Sequence, residues 1–183
     1  AHDYSAKRTQ LMLSALRSFL RFCHLKGLTT EALSIHVPTV ANWRLANVPT
    51  YLTADEVEKV LGACDQRTSI GRRDFAILTL LARLGLRAGE IVSLTLDDVL
   101  WESGEITVHG KGKQRRRLPL TEDIGKAIAA YLKTARPRVE SRRLFIRAMA
   151  PLRGLGSSAT VSTVVEEATT RAGLNVPFGN GAN

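Results

Sequence analysis

Apolar residues recur at helical spacing near the start of the chain. In residues 5–26, SAKRTQLMLSALRSFLRFCHLK, the positions Met12, Leu16, Phe19, Leu20 and Cys23 form one stripe. Arg8, Arg17 and Arg21 lie largely off it, and Gly27 is placed to end the helix. One basic amphipathic helix cannot make a domain, so this segment reads as part of a larger helical unit. Residues 34–52 carry two prolines and no period, which suits a linker; an irregular loop inside one domain is the alternative. Thr53, three residues before Glu56, forms a capping-box pattern at a helix start. A strongly apolar helix is expected from about Asp74 to Leu84, ended by Gly85, and its apolar face is broad enough for a core helix. A short helix over Ala88 to Leu94 would turn Ile91 and Leu94 inward.

Beyond Leu94 the period changes from helical to alternating. Ile106 and Val108 alternate with Glu105, Thr107 and His109, Gly110 to Gly112 supply a turn, and a return strand runs from about Gln114 to Leu118 before Pro119. A helix from Glu122 to Ala135 follows, with Ile124, Ile128, Tyr131 and Leu132 on its face and Pro137 beyond it. RRLFIR is expected as a short strand or extended piece, and a last helix spans about Ala159 to Ala172, with Gly173 as its cap. The expected fold is therefore mainly α with a small antiparallel β-hairpin (α+β).

Charge narrows the choice of partner. The 183 residues carry a net charge of +9, so a polyanion, most simply nucleic acid, is the natural ligand. Aromatic residues make up only 5%, which disfavours a surface built for stacking unpaired bases. No apolar run approaches the roughly 18 residues of a membrane span, and the opening residues lack a secretory pattern. Cys23 and Cys64 lack CxxC spacing and read as two free thiols in a reducing cytoplasm; no metal site is expected.

The sharpest local feature is LARLGLRAGEIVSLTLDD, residues 81–98. Arg87 stands at a helix start, where unpaired backbone N–H groups favour an anion, and its planar fork matches phosphate oxygens. Glu90, one turn on, is placed to hold that guanidinium. Lys111 stands at a glycine-flanked hairpin tip, and Lys113, Arg115, Arg116 and Arg117 follow it. Read singly, Arg87 with Glu90 is an ordinary surface pair and GKGK an ordinary solvated turn.

In order, LARLGLRAGEIVSLTLDDVLWESGEITVHGKGKQRRRLPL resembles the first half of the catalytic domain of tyrosine recombinases, the phage-integrase family, and most of all its Xer-like members. The resemblance covers about residues 51–176, and residues 5–33 more loosely resemble the end of the helical core-binding domain that precedes it. It implies a partial core-binding domain over 1–33, a linker over 34–52 and the N-terminal part of a catalytic domain over 53–183. It further implies a protein of site-specific recombination or integration that binds double-stranded DNA in a mobile-element setting, cytoplasmic and nucleoid-associated, and that self-associates on DNA. Such enzymes cut DNA through a 3′-phosphotyrosine without metal or nucleotide cofactor. Arg87 matches the first catalytic arginine and Lys111 the hairpin lysine that protonates the leaving 5′-oxygen.

The resemblance also marks what this sequence lacks. None of the four histidines is followed three residues later by arginine, and of Tyr4, Tyr51 and Tyr131 the last falls on an apolar helix face. The absence of an initiator Met and the ending NVPFGNGAN read as a fragment, expected to be inactive alone. A truncated, non-catalytic protein that occupies recombination sites is the alternative. Arg8, Arg17, Arg21, Lys26, Arg44, Lys113, Arg115, Arg116 and Arg117 are the expected DNA-binding residues. Loss of the last helices is expected to leave the face of residues 74–84 open and prone to association.

Overall fold

The computed structural model describes residues 6–39, 51–110, 112 and 114–174. The chain divides into two compact units, Ala1–Pro49 and Thr50–Asn183. In the first, helix α1 (Ala6–Leu25) ends before Gly27, which adopts a φ of 71°. A 3-10 turn at Leu33–His36 then packs back on the helix. Arg17 Nη2 donates to the Val37 carbonyl at 3.1 Å, and Cys23, Ser34 and Val37 are buried. The expected inward stripe is only partly realised, since Met12, Leu16 and Phe19 remain exposed. The described part of this unit sets one short turn against α1, and a helix buries only the positions that something covers.

Among the described residues, the second unit carries eight of the nine α-helices and strands. Thr53 begins α2 (Ala54–Gly62) with the reciprocal capping box: Thr53 Oγ1 accepts from the Glu56 N–H, and Glu56 Oε2 accepts from the Thr53 N–H at 2.8 Å. Losing such a cap costs about 1 kcal/mol. Thr53→Ala is therefore expected to lower Tm by a few degrees, read by a calorimetric melt.

Helix α3 (Ser69–Leu84) begins five residues earlier than its apolar pattern suggests. Thr68 caps it by accepting from the Gly71 N–H at 2.9 Å. Gly71 sits so close to the Asp65 carbonyl that a Cβ there would lie 2.0 Å from its oxygen. A glycine and two arginines hid this first turn from a reading of periodicity.

α3 packs chiefly on α5 (Glu122–Thr134) and also meets α2, α4 (Ala88–Ser93) and α6 (Ser158–Arg171). Ile77 and Leu80 are fully buried, together with Ile91, Leu94, Ile106, Val108, Ile124, Ile128 and Leu144. Each such side chain contributes about 1.5–3 kcal/mol. The open face expected over residues 74–84 is thus largely absent, because four helices share the covering of α3. What stays open there is a shallow apolar groove of about 200 Å³ among Val57, Leu61, Leu81 and Val165.

The sheet has three antiparallel strands in the order β1 (Val99–Leu100), β2 (Glu105–His109), β3 (Arg115–Pro119). The hairpin was legible from alternation; β1 was not, because two residues carry no period. Residues 135–157 are irregular but anchored. Leu144 N–H donates to the Leu94 carbonyl, Leu96 N–H donates to the Arg142 carbonyl, each at 2.9 Å, and Leu144, Phe145 and Ile146 are buried. The fold is mainly helical with one small antiparallel sheet, as its sequence pattern implied.

Candidate nucleic-acid interface

The Gly-Leu-Arg step has a local cause. Gly85 closes α3 in the left-handed region (φ 60°), a conformation that favours glycine. Leu86 then drops into the core, and Arg87 becomes the N-cap of α4. Glu90, at the third position of α4, folds back so that Oε2 accepts from the Arg87 N–H at 2.8 Å. Its other oxygen, Oε1, accepts from Arg116 Nη2 at 3.1 Å and lies 3.6 Å from Arg87 Nη1. The carboxylate is 6% exposed, whereas the Arg87 and Arg116 side chains are 80% and 54% exposed. One submerged anion therefore steadies two guanidinium groups, whose remaining donors face outward.

Strand register decides which arginine takes part. Arg116 pairs with Val108, while Arg115 pairs with His109 and Arg117 with Thr107. Cross-strand partners leave a sheet on the same face, so three consecutive arginines alternate in direction. The middle one reaches Glu90. Arg117 instead meets Glu105 at 3.3 Å, an exposed pair that contributes little.

A second buried carboxylate lies nearby. Asp98 is 8% exposed, and its Oδ2 accepts from Thr95 N–H at 2.8 Å and Thr95 Oγ1 at 2.7 Å. Its Oδ1 lies 2.7 Å from His109 Nε2. The neighbouring Asp97 turns to solvent, where the Arg142 guanidinium holds its carboxyl below the usual range.

Arg87, Gly89, Glu90, Ser93, His109, Gly110 and Ser158 line one open groove of about 670 Å³. Lys111, Lys113 and Arg44 lie outside the described residues. At the hairpin end Gly112 has a φ of 78°, and Gly110 N–H donates to the Gln114 carbonyl at 2.8 Å. Arg8 and Arg21 are exposed on α1. Arg17 is engaged within its own unit, and Lys26 Nζ lies 5.9 Å from the centroid of the Phe22 ring. Asp98 and His109 were missed as a pair, since eleven residues and a strand register separate them. Among the described residues no cluster of His, Cys, Asp and Glu is arranged to hold a metal, and no helix is long and apolar enough to cross a membrane.

Residues 50–180 match the model described as the phage integrase family. The putative integrase/recombinase y4rA of Sinorhizobium fredii (strain NBRC 101917 / NGR234) is 44% identical over 171 residues, covering 93% of this chain and 42% of the relative. Tyrosine recombinase XerD of Pseudomonas aeruginosa is 36% identical over 135 residues, covering 73% and 44%. The chain thus spans less than half the length of these relatives. Among solved structures, a lambda integrase dimer bound to a COC′ core site aligns with a TM-score of 0.69 at 19% identity, covering 93% of this chain and 60% of that one. XerA recombinase aligns at 0.60 and 21%, covering 94% and 56%. These two likenesses speak to fold alone.

Proposed function

The chain belongs to the phage integrase family, and on that premise we propose that it is the DNA-binding portion of a site-specific tyrosine recombinase. The observation that carries this reading is the pair of exposed guanidinium groups, Arg87 and Arg116, both engaged by the buried carboxylate of Glu90, which with Arg87 lines one open groove. A backbone phosphate suits that groove. Its non-bridging oxygens accept from two preplaced forks, the arrangement that phosphoryl chemistry needs where negative charge develops. In the complete recombinase Arg87 stabilises the charge on the attacked phosphate, and Lys111 delivers the proton to the departing 5′-oxygen. Arg115 and Arg117, Lys113, Arg44 and the basic residues of α1 (Arg8, Arg21, Lys26) add phosphate contacts along the duplex. Arg17 takes a structural part instead. Self-association on DNA and a nucleoid location follow from the same reading.

Contacts of this kind release counterions, so affinity must depend on salt. If about six phosphates are neutralised, affinity for a random-sequence duplex falls roughly a thousand-fold between 50 and 200 mM salt. Fluorescence anisotropy across that range is the measurement. An affinity indifferent to salt, or no binding at 50 mM, would remove the reading.

A further inference from the structure

We propose that His109 is a further phosphate-contacting residue of this groove, held in place for that task by the buried carboxylate of Asp98. The proposal rests on the DNA-binding reading above and extends it to a side chain outside the arginine and lysine set. Asp98 is nearly enclosed, and one of its oxygens already accepts both from the backbone and from the hydroxyl of Thr95. An ionised carboxylate can only accept. At 2.7 Å from Oδ1, the His109 Nε2 must therefore carry the proton and donate.

That bond fixes the ring's tautomer and its orientation, as a carboxylate does for histidines that must present the opposite nitrogen. The opposite nitrogen here is Nδ1, which finds no partner among the described residues, and the ring is 37% exposed along the groove that Arg87 and Glu90 also line. Asp98 takes the Nε2–H on one side of the ring. A phosphate arriving on the other side receives Nδ1–H as a charge-assisted bond.

The surrounding charges fit an anion as the missing partner. Arg115 is the register partner of His109, so both leave the sheet on one face. Arg87 lines the same groove as His109, and the carboxylate beside it, Glu90, is already engaged by Arg87 and by Arg116. A ring donor beside the Arg87 guanidinium suits a phosphate oxygen as its acceptor. In the sequence His109 directly precedes the Gly110-Lys111-Gly112 run.

The test compares the wild-type chain with His109→Gln and His109→Lys in binding a short random-sequence duplex over a range of salt. Losing one ionic phosphate contact should make the log–log slope shallower by about 0.9. The expected result is that shallower slope, with affinity about tenfold weaker, for His109→Gln. His109→Lys, which keeps a cation there, should retain the slope. Arg87→Gln serves as the internal reference.

If the wild type fails to bind duplex at all, the DNA-binding reading has failed. If the wild type binds, Arg87→Gln weakens it, and His109→Gln leaves slope and affinity unchanged, this proposal alone is overturned. Should both His109 variants melt early, the wild type labelled with 15N-histidine and saturated with duplex still decides. Both ring nitrogens of His109 are then expected to be protonated, and a bare Nδ1 in the complex overturns the assignment.

Discussion

Glu90→Ala is expected to weaken duplex binding about tenfold, roughly 1.4 kcal/mol, even though it makes the chain more positive. Two effects of opposite sign compete. Removing a carboxylate from a groove built for a polyanion should, by charge alone, strengthen binding. Yet Glu90 is the element that fixes the site: one oxygen closes the start of α4 through the Arg87 N–H, and the other holds Arg116 and faces Arg87. Without it both guanidinium groups regain their rotamers, and the affinity must then supply the ordering that Glu90 now provides.

Stability should also fall, by about 1–3 kcal/mol, since a buried charge-assisted set and an N-cap contact are lost together. Glu90→Gln keeps the shape and an acceptor and is expected to fall between wild type and alanine in both respects. Anisotropy at fixed salt and a thermal melt read the two effects separately. Tighter binding by Glu90→Ala would show that the carboxylate merely opposes the phosphate and positions nothing.

How much of this arrangement was legible beforehand depended on the distance over which it is encoded. Arg87 and Glu90 are three residues apart, and a helix start makes that spacing a contact, so the pair could be read directly. Gly85 and Arg87 were likewise local: one ends a helix and the other caps the next. Arg116 could not be chosen from among Arg115, Arg116 and Arg117 without the strand register, because one residue of slip exchanges the two faces. The division of labour between Asp97 and Asp98 was hidden in the same way. Two identical residues in succession go to opposite fates, one to Arg142 at the surface and one to His109 beneath it. The start of α3 escaped because its first turn is fixed by a cap and by a backbone approach that only glycine permits at position 71, neither of which has a period.

Incubated with a nicked suicide duplex, this chain is expected to form no covalent protein–DNA adduct, and Tyr131 is the residue on which the expectation turns. It is the tyrosine that follows both Arg87 and Lys111 in the sequence, as a recombinase nucleophile would. Its surroundings suit a core residue instead. The side chain is 1% exposed, its ring stacks on Phe145 at a centroid distance of 5.5 Å, and its hydroxyl accepts from the Ile146 N–H at 3.1 Å.

Burial also pushes the phenol pKa up, which disfavours the phenolate that attack on phosphorus would use. The residue is therefore committed to packing and to satisfying a buried backbone donor. Tyr131→Phe should leave that donor unpaired and cost about 1–3 kcal/mol. Tyr131→Ala should cost about 3–5 kcal/mol, as truncating large buried aromatics does. Neither change is expected to alter the adduct assay, which reads zero throughout. A phosphotyrosine mapped to Tyr131 in the wild type would require the α5–Phe145 packing to open in solution, and would overturn both the assignment of this tyrosine to the core and the expectation that this chain forms no adduct.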